Sequence, residues 1–132
     1  MDSNSYENMV REMCAYVGLE DCSQIIRTRH LMIGDVLTGL IYDEQADPGH
    51  LHIYFELGPT FPERDPELYA KMLAANLDRQ AELSGHLGLD PDTGQGVYHI
   101  LLDMKARPGG KWLADFLATQ ADAASLLFKQ LQ

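Results

Sequence analysis

Glu56 to Leu77 reads ELGPTFPERDPELYAKMLAANL, and the change of character within it decides the fold. An alternating apolar run breaks at Gly58-Pro59. A polar connection follows, and Asp65-Pro66 then opens a helix, with Asp65 as the expected cap. Proline is tolerated in a first helical turn, where its missing amide proton has no carbonyl to serve. Leu68, Tyr69, Met72, Leu73, Asn76 and Leu77 recur at helical spacing and form a wide apolar stripe. Strand therefore gives way to helix inside one short segment.

Upstream, Leu51, Ile53, Phe55 and Leu57 alternate with His52, Tyr54 and Glu56, so one side of this strand faces a core and the other is semi-polar. Two further extended runs precede it, HLMI and VLTGLIYD, separated by Gly34-Asp35. The turn Asp47-Pro48-Gly49 makes the second and third runs a hairpin. At the N-terminus, Tyr6, Met9, Val10, Met13 and Val17 mark an amphipathic helix capped by Ser3, Asn4 or Ser5 and closed by Gly18. Downstream, GHLGLDPDTGQGVYHILLD from Gly85 to Asp103 reads as strand, turn and strand. After Pro108-Gly109-Gly110, an apolar stripe from Trp112 through Leu113, Phe116, Leu117, Ala121, Ala124 and Phe128 to Leu131 predicts a last helix.

The order helix, three strands, helix, two strands, helix is an α+β pattern with a mostly antiparallel sheet. A chain of 132 residues without repeat or long linker is expected to form a single domain, residues 1–132. Twenty acidic and ten basic residues leave a net charge of -10. That surface repels phosphate backbones and anionic lipid, and favours a basic or apolar polypeptide as partner. No run has the roughly 18 apolar residues of a spanning helix, and MDSNSYEN lacks the plan of a signal peptide, so a cytosolic protein is expected. Cys14 and Cys22 are read as two unrelated thiols, one on a helix face and one in the loop beyond it.

Chemistry is sparse. His50 and His52 share a strand face, and His86 and His99 lie in the later strands, yet no Cys/His cluster or HExxH spacing marks a metal site. The acidic pairs sit at turns and helix starts, where capping and solvation account for them. Gly94-Gln95-Gly96 lacks the third glycine and the following helix of a dinucleotide loop. No serine sits in a GxSxG elbow. The expectation is no catalytic, cofactor or metal residue. Methionines on the first helix suit a surface that must accept varied side chains.

Taken together, Met72-Leu73-Ala74-Ala75-Asn76-Leu77 closing a helix and Asp90-Pro91-Asp92-Thr93-Gly94 turning between two strands resemble the class I type III secretion chaperones, the family that includes the Tir chaperone. The resemblance runs nearly end to end, and order and spacing carry it more than any single motif. Methionine stands at the first of the paired leucine positions, and the late strands are unusually rich in glycine and histidine.

The resemblance implies a homodimer that binds the N-terminal segment of a secreted effector in extended form, with the secretion-apparatus ATPase as a further partner and no enzymatic turnover. An extended guest adds to an open sheet edge through main-chain bonds while its apolar side chains enter pockets. On pattern, the expected effector contacts are Met9, Met13, Tyr16, Leu37, Ile41, Tyr54 and Phe55. Family likeness points to Leu68, Met72, Asn76 and Leu87 for the dimer contact, while Leu73, Leu77 and Ile53 are expected in the core. Two other readings stay open: a regulatory adaptor or anti-activator on the same fold, and a small-molecule-binding domain using the sheet's tyrosines and histidines.

Overall fold

Helix α1 spans Ser3–Val17 in the computed structural model, which describes residues 2–78, 83–106 and 108–132. Its cap is Asp2, whose carboxylate accepts from the Ser5 amide at 2.8 Å. The residues expected to cap form the first turn instead, because a carboxylate one position earlier also meets the positive end of the helix. Gly18 closes α1 at φ 79°, and the Leu19 amide returns to the Cys14 carbonyl at 2.9 Å.

A second helix, α2 at Cys22–Thr28, occupies the stretch expected to be loop. Seven residues are too few to show a periodic stripe, but Asp21 caps Gln24 and Ile25 is buried. Cys22 thus opens a helix, and it and the buried Cys14 are both free thiols. Burial first, and the neighbouring sulfur second, push the Cys14 thiol up to about 12.

Five strands follow: β1 at His30–Ile33, β2 at Val36–Ile41, β3 at His50–Pro59, β4 at His86–Leu89 and β5 at Gln95–Asp103. They form one antiparallel sheet in the order β1-β2-β3-β5-β4. Strand β3 includes Gly58-Pro59 as its last two residues. A bulge between Glu56 and Gly58, with Gly58 at φ 144°, lets it continue until Pro59 pairs with Gln95.

Leu51, Ile53 and Phe55 are fully buried on one face, and His52, Tyr54 and Glu56 stand half-buried on the other, as the alternation predicts. The buried face lies under α1 and under α4, Gly110–Leu131. Met9, Val10 and Met13 of α1 and Leu113, Leu117, Ala121, Ala124 and Phe128 of α4 close the core. Each large apolar side chain so buried stabilises the fold by about 1.5–3 kcal/mol. The two helices meet where α4 begins: a Cβ on Gly110 would run into the backbone of Glu12 and Met13.

Helix α3, Pro66–Leu77, links β3 to β4 and packs on β4 and α4. Asp65 stands at its cap position without bonding the helix; its carboxylate accepts from the Phe61 amide at 2.8 Å and from Arg64. Only Leu68 and Met72 of the stripe are buried. Leu73 and Leu77 are 72% and 90% exposed, which corrects their expected place in the core. A helix docked against one short edge strand can cover only a narrow line of its own surface, and the stripe is wider than that line.

Candidate functional site

With both long helices on one side, the other face of the sheet is open. Across it run His30 of β1, Leu37, Gly39 and Ile41 of β2, Tyr54 and Glu56 of β3, Val97 of β5, Leu89 of β4, and Asp90 and Pro91 of the β4–β5 turn, which together line a groove of about 340 Å³. Gly39 deepens it by having no side chain. Beside this groove His52 and His99 stack at 5.3 Å and Tyr54 lies on His99 at 4.6 Å.

Asp47 anchors that stack. Its carboxylate accepts from His50 Nδ1 at 2.8 Å and His52 Nε2 at 3.1 Å, so His52 carries its proton on Nε2 and its Nδ1 accepts a hydrogen bond donated by His99 Nε2–H, at 3.2 Å. The His50 bond first, and that of His52 with it, hold the Asp47 carboxyl below its ordinary range. Desolvation lowers the His99 value, and the His52 and His86 charges lower it further. Among the described residues, no serine, threonine or cysteine joins this chain of bonds. Among the described residues, no three His, Cys, Asp or Glu side chains gather where they could hold a metal ion.

At one border of the sheet, β1 pairs with β2 on one side only, and no backbone bond among the described residues engages the outer side of Leu31–Ile33. Alongside it lies an apolar groove of about 250 Å³, lined by Met13, Val17, Leu19, Met32, Ile33 and the small residues Ala114 and Ala118. Val17, Leu19 and Met32 are 50%, 45% and 57% exposed. Grease and unpaired main chain are thus adjacent.

The opposite border is closed differently. Asn76 of α3 donates from Nδ2 to the Leu87 carbonyl at 2.9 Å and accepts the Leu87 amide on Oδ1 at 2.6 Å. Its amide imitates the next strand and ties α3 to β4. Leu73 and Leu77 project from this corner into solvent.

The model of the Tir chaperone protein (CesT) family matches residues 27–127, well over half of the chain. The chain belongs to that family. Membership places it among the type III secretion chaperones, and the matched span takes in the whole sheet and nearly all of α4. Among solved structures, a chain in the crystal structure of the ExsC-ExsE complex aligns with TM-score 0.75 at 16% identity, covering 99% of this chain and 97% of that one. A chain in the HopA1-SchA chaperone-effector complex aligns with TM-score 0.63 at 14% identity, over 98% of each. A chain in the ExoT-SpcS complex from Pseudomonas aeruginosa aligns with TM-score 0.58 at 16% identity, covering 95% and 98%. These likenesses bear on the fold. No curated protein matches.

On this chaperone fold, three of the expected effector contacts, Leu37, Ile41 and Tyr54, come together in the open-face groove. Tyr16 stands apart on α1, half exposed, its hydroxyl 3.4 Å from Asp115. Met9 and Phe55 are buried between sheet and helices and offer a guest no surface; Met13 is buried too but reaches the wall of the edge groove. Leu68, Met72 and Leu87 are likewise covered within the protomer, and Asn76 is engaged by Leu87. Sequence reasoning missed Val17, Leu19 and Met32. Met32 could have been found, since it is the outward position of HLMI beside the buried Leu31, whereas nothing local shows that α1, β1 and α4 converge.

Proposed function

We propose that this family member is a cytosolic chaperone that takes up the N-terminal segment of a secreted effector in extended form. The guest strand adds along the outer side of β1 and places alternate apolar side chains in the groove of Val17, Leu19, Met32 and Ala118. The observation that carries this reading is the unpaired strand border lying directly beside that groove. Strand addition satisfies the guest's backbone without regard to its sequence, and the groove rewards apolar residues at period two. Ordering a flexible segment costs entropy, so a long contact is needed, and a chaperone of this kind needs no hydrolysis of its own.

The reading includes a homodimer, with Leu73 and Leu77 of α3 as the contact in place of the covered Leu68, Met72 and Leu87. Two large leucines on one short helix form an exposed apolar patch that association would bury. Handover to the secretion-apparatus ATPase rests on family likeness alone.

Co-expression with candidate effectors of the same bacterium tests the proposal. A soluble complex should survive gel filtration with two chaperones per effector, and should be lost when the effector's N-terminal segment is deleted. Met32→Asp, at the border of the sheet, should weaken it about tenfold or more while leaving the fold intact. Retention of the complex by the truncated effector, or indifference to Met32→Asp, would refute edge addition.

A further inference from the structure

The groove on the open face has a property that the edge groove lacks. Its floor is apolar, built by Leu37, Ile41 and Val97 around the gap at Gly39, but its polar groups are acceptors. Glu56 and Asp90 contribute carboxylates, and among the described residues no cationic side chain pairs with either. One Asp90 oxygen accepts the Asp92 amide at 2.9 Å, leaving the other for a guest. His30 lies 2.7 Å through Nδ1 from the Thr28 carbonyl, which can only accept; Nδ1 therefore carries a proton, and in the neutral ring the Nε2 lone pair is left. That Nε2 faces Gly39, 3.9 Å from where a Cβ would stand. Tyr54 alone can both donate and accept.

Resting on the chaperone reading above, we infer that this groove is a second docking site for the client, specific for a segment in which an aliphatic side chain is flanked by arginine or lysine. The groove crosses all five strands, from His30 of β1 to Asp90 beyond β4, so a guest lying in it cannot join the ladder and must be held by side chains. Four strand spacings make roughly 19 Å, the span of about six extended residues or about thirteen helical ones. An acceptor rim on a protein of net charge -10 calls for a donor-rich, positively charged occupant. The same charge disfavours a second copy of this chain as the occupant.

A fluorescein-labelled synthetic peptide alternating leucine and arginine, read by fluorescence anisotropy against the intact protein, tests this. It should bind, and replacing its arginines by neutral citrulline should weaken binding about threefold to tenfold, the yield of two exposed charge pairs. The double variant Glu56→Gln/Asp90→Asn should lose the same factor and be insensitive to citrulline. Gly39→Leu fills the groove at a site where an added Cβ meets nothing nearer than 3.7 Å, and should abolish binding with an unchanged melting temperature. Amide shifts on titration should centre on Leu37, Ile41 and Val97. No binding to the wild type, equal affinity for the citrulline peptide, shifts confined to Leu31–Ile33, or dissociation of a dimer by Gly39→Leu would each overturn the inference. If these occur while an effector still co-purifies in a manner sensitive to Met32→Asp, the face groove is refuted and edge addition stands. If no effector co-purifies with any variant, the chaperone reading itself falls.

Discussion

Protonating His99 runs against its surroundings on several sides. The ring is partly desolvated between β3 and β4, it stacks on Tyr54, and it faces His52 and His86, either of which can carry the same charge. Asp47 is bonded to His50 and His52 and is linked to His99 only through the His52 ring. The folded-state value of His99 therefore lies below the ordinary 6.5, and the unfolded chain binds the proton more readily. Stability is then fully present above pH 6.5 and declines as pH falls below it, until the folded form also takes the proton. Thermal melts should show a falling midpoint from about pH 7 to pH 5, and His99→Gln should flatten that slope; an identical slope would place the effect elsewhere. The period-two reading of β3 already set His52 and Tyr54 on the open face and Phe55 on the inner one, because strand alternation is a local rule. That His99 would stack on them needed the β3–β5 register, which no local rule supplies.

Helix α3 is held to the sheet by one side-chain amide as much as by its two buried apolar residues. Asn76 satisfies both main-chain groups of Leu87, so Asn76→Ala leaves a partly buried amide and carbonyl on β4 without their partner. The expected loss is about 2–4 kcal/mol, read as a lower urea midpoint at unchanged slope, and a loss under about 0.5 kcal/mol would mean that water replaces the amide fully. The helix was legible from Asp65-Pro66 and its spacing, and its end at Leu77 agrees with that spacing. Its orientation was not. The stripe holds more apolar positions than one strand and one helix can cover, and periodicity alone does not say which of them turn outward. The short α2 was invisible for the opposite reason, since two turns are too few to display a period.

For the whole molecule, the exposed leucines of α3 and the free border of β1 lie at opposite ends of the sheet order, separated by β2, β3, β5 and β4. Pairing through α3 therefore leaves the β1 border of each protomer open to a guest. Leu73→Lys with Leu77→Lys should weaken self-association at least about tenfold in sedimentation velocity without lowering thermal stability of the protomer, since neither side chain packs inside it. A dimer unaffected by both lysines would place the contact elsewhere. A net charge of -10 opposes aggregation and favours basic partners over acidic ones.

By itself the sequence determined the order of the five strands and the three longer helices, the inward and outward faces of β3, the closing glycine of α1 and the family, because each follows from local sterics, from the burial period or from the order of short motifs. Tertiary structure alone decided which apolar residues remained outside. Whether Leu73, Leu77, Met32 or Val17 is covered depends on how many neighbours reach it across the chain, and that is settled only when helices α1 and α4 take one face of the sheet and leave the other, with the β1 border, bare.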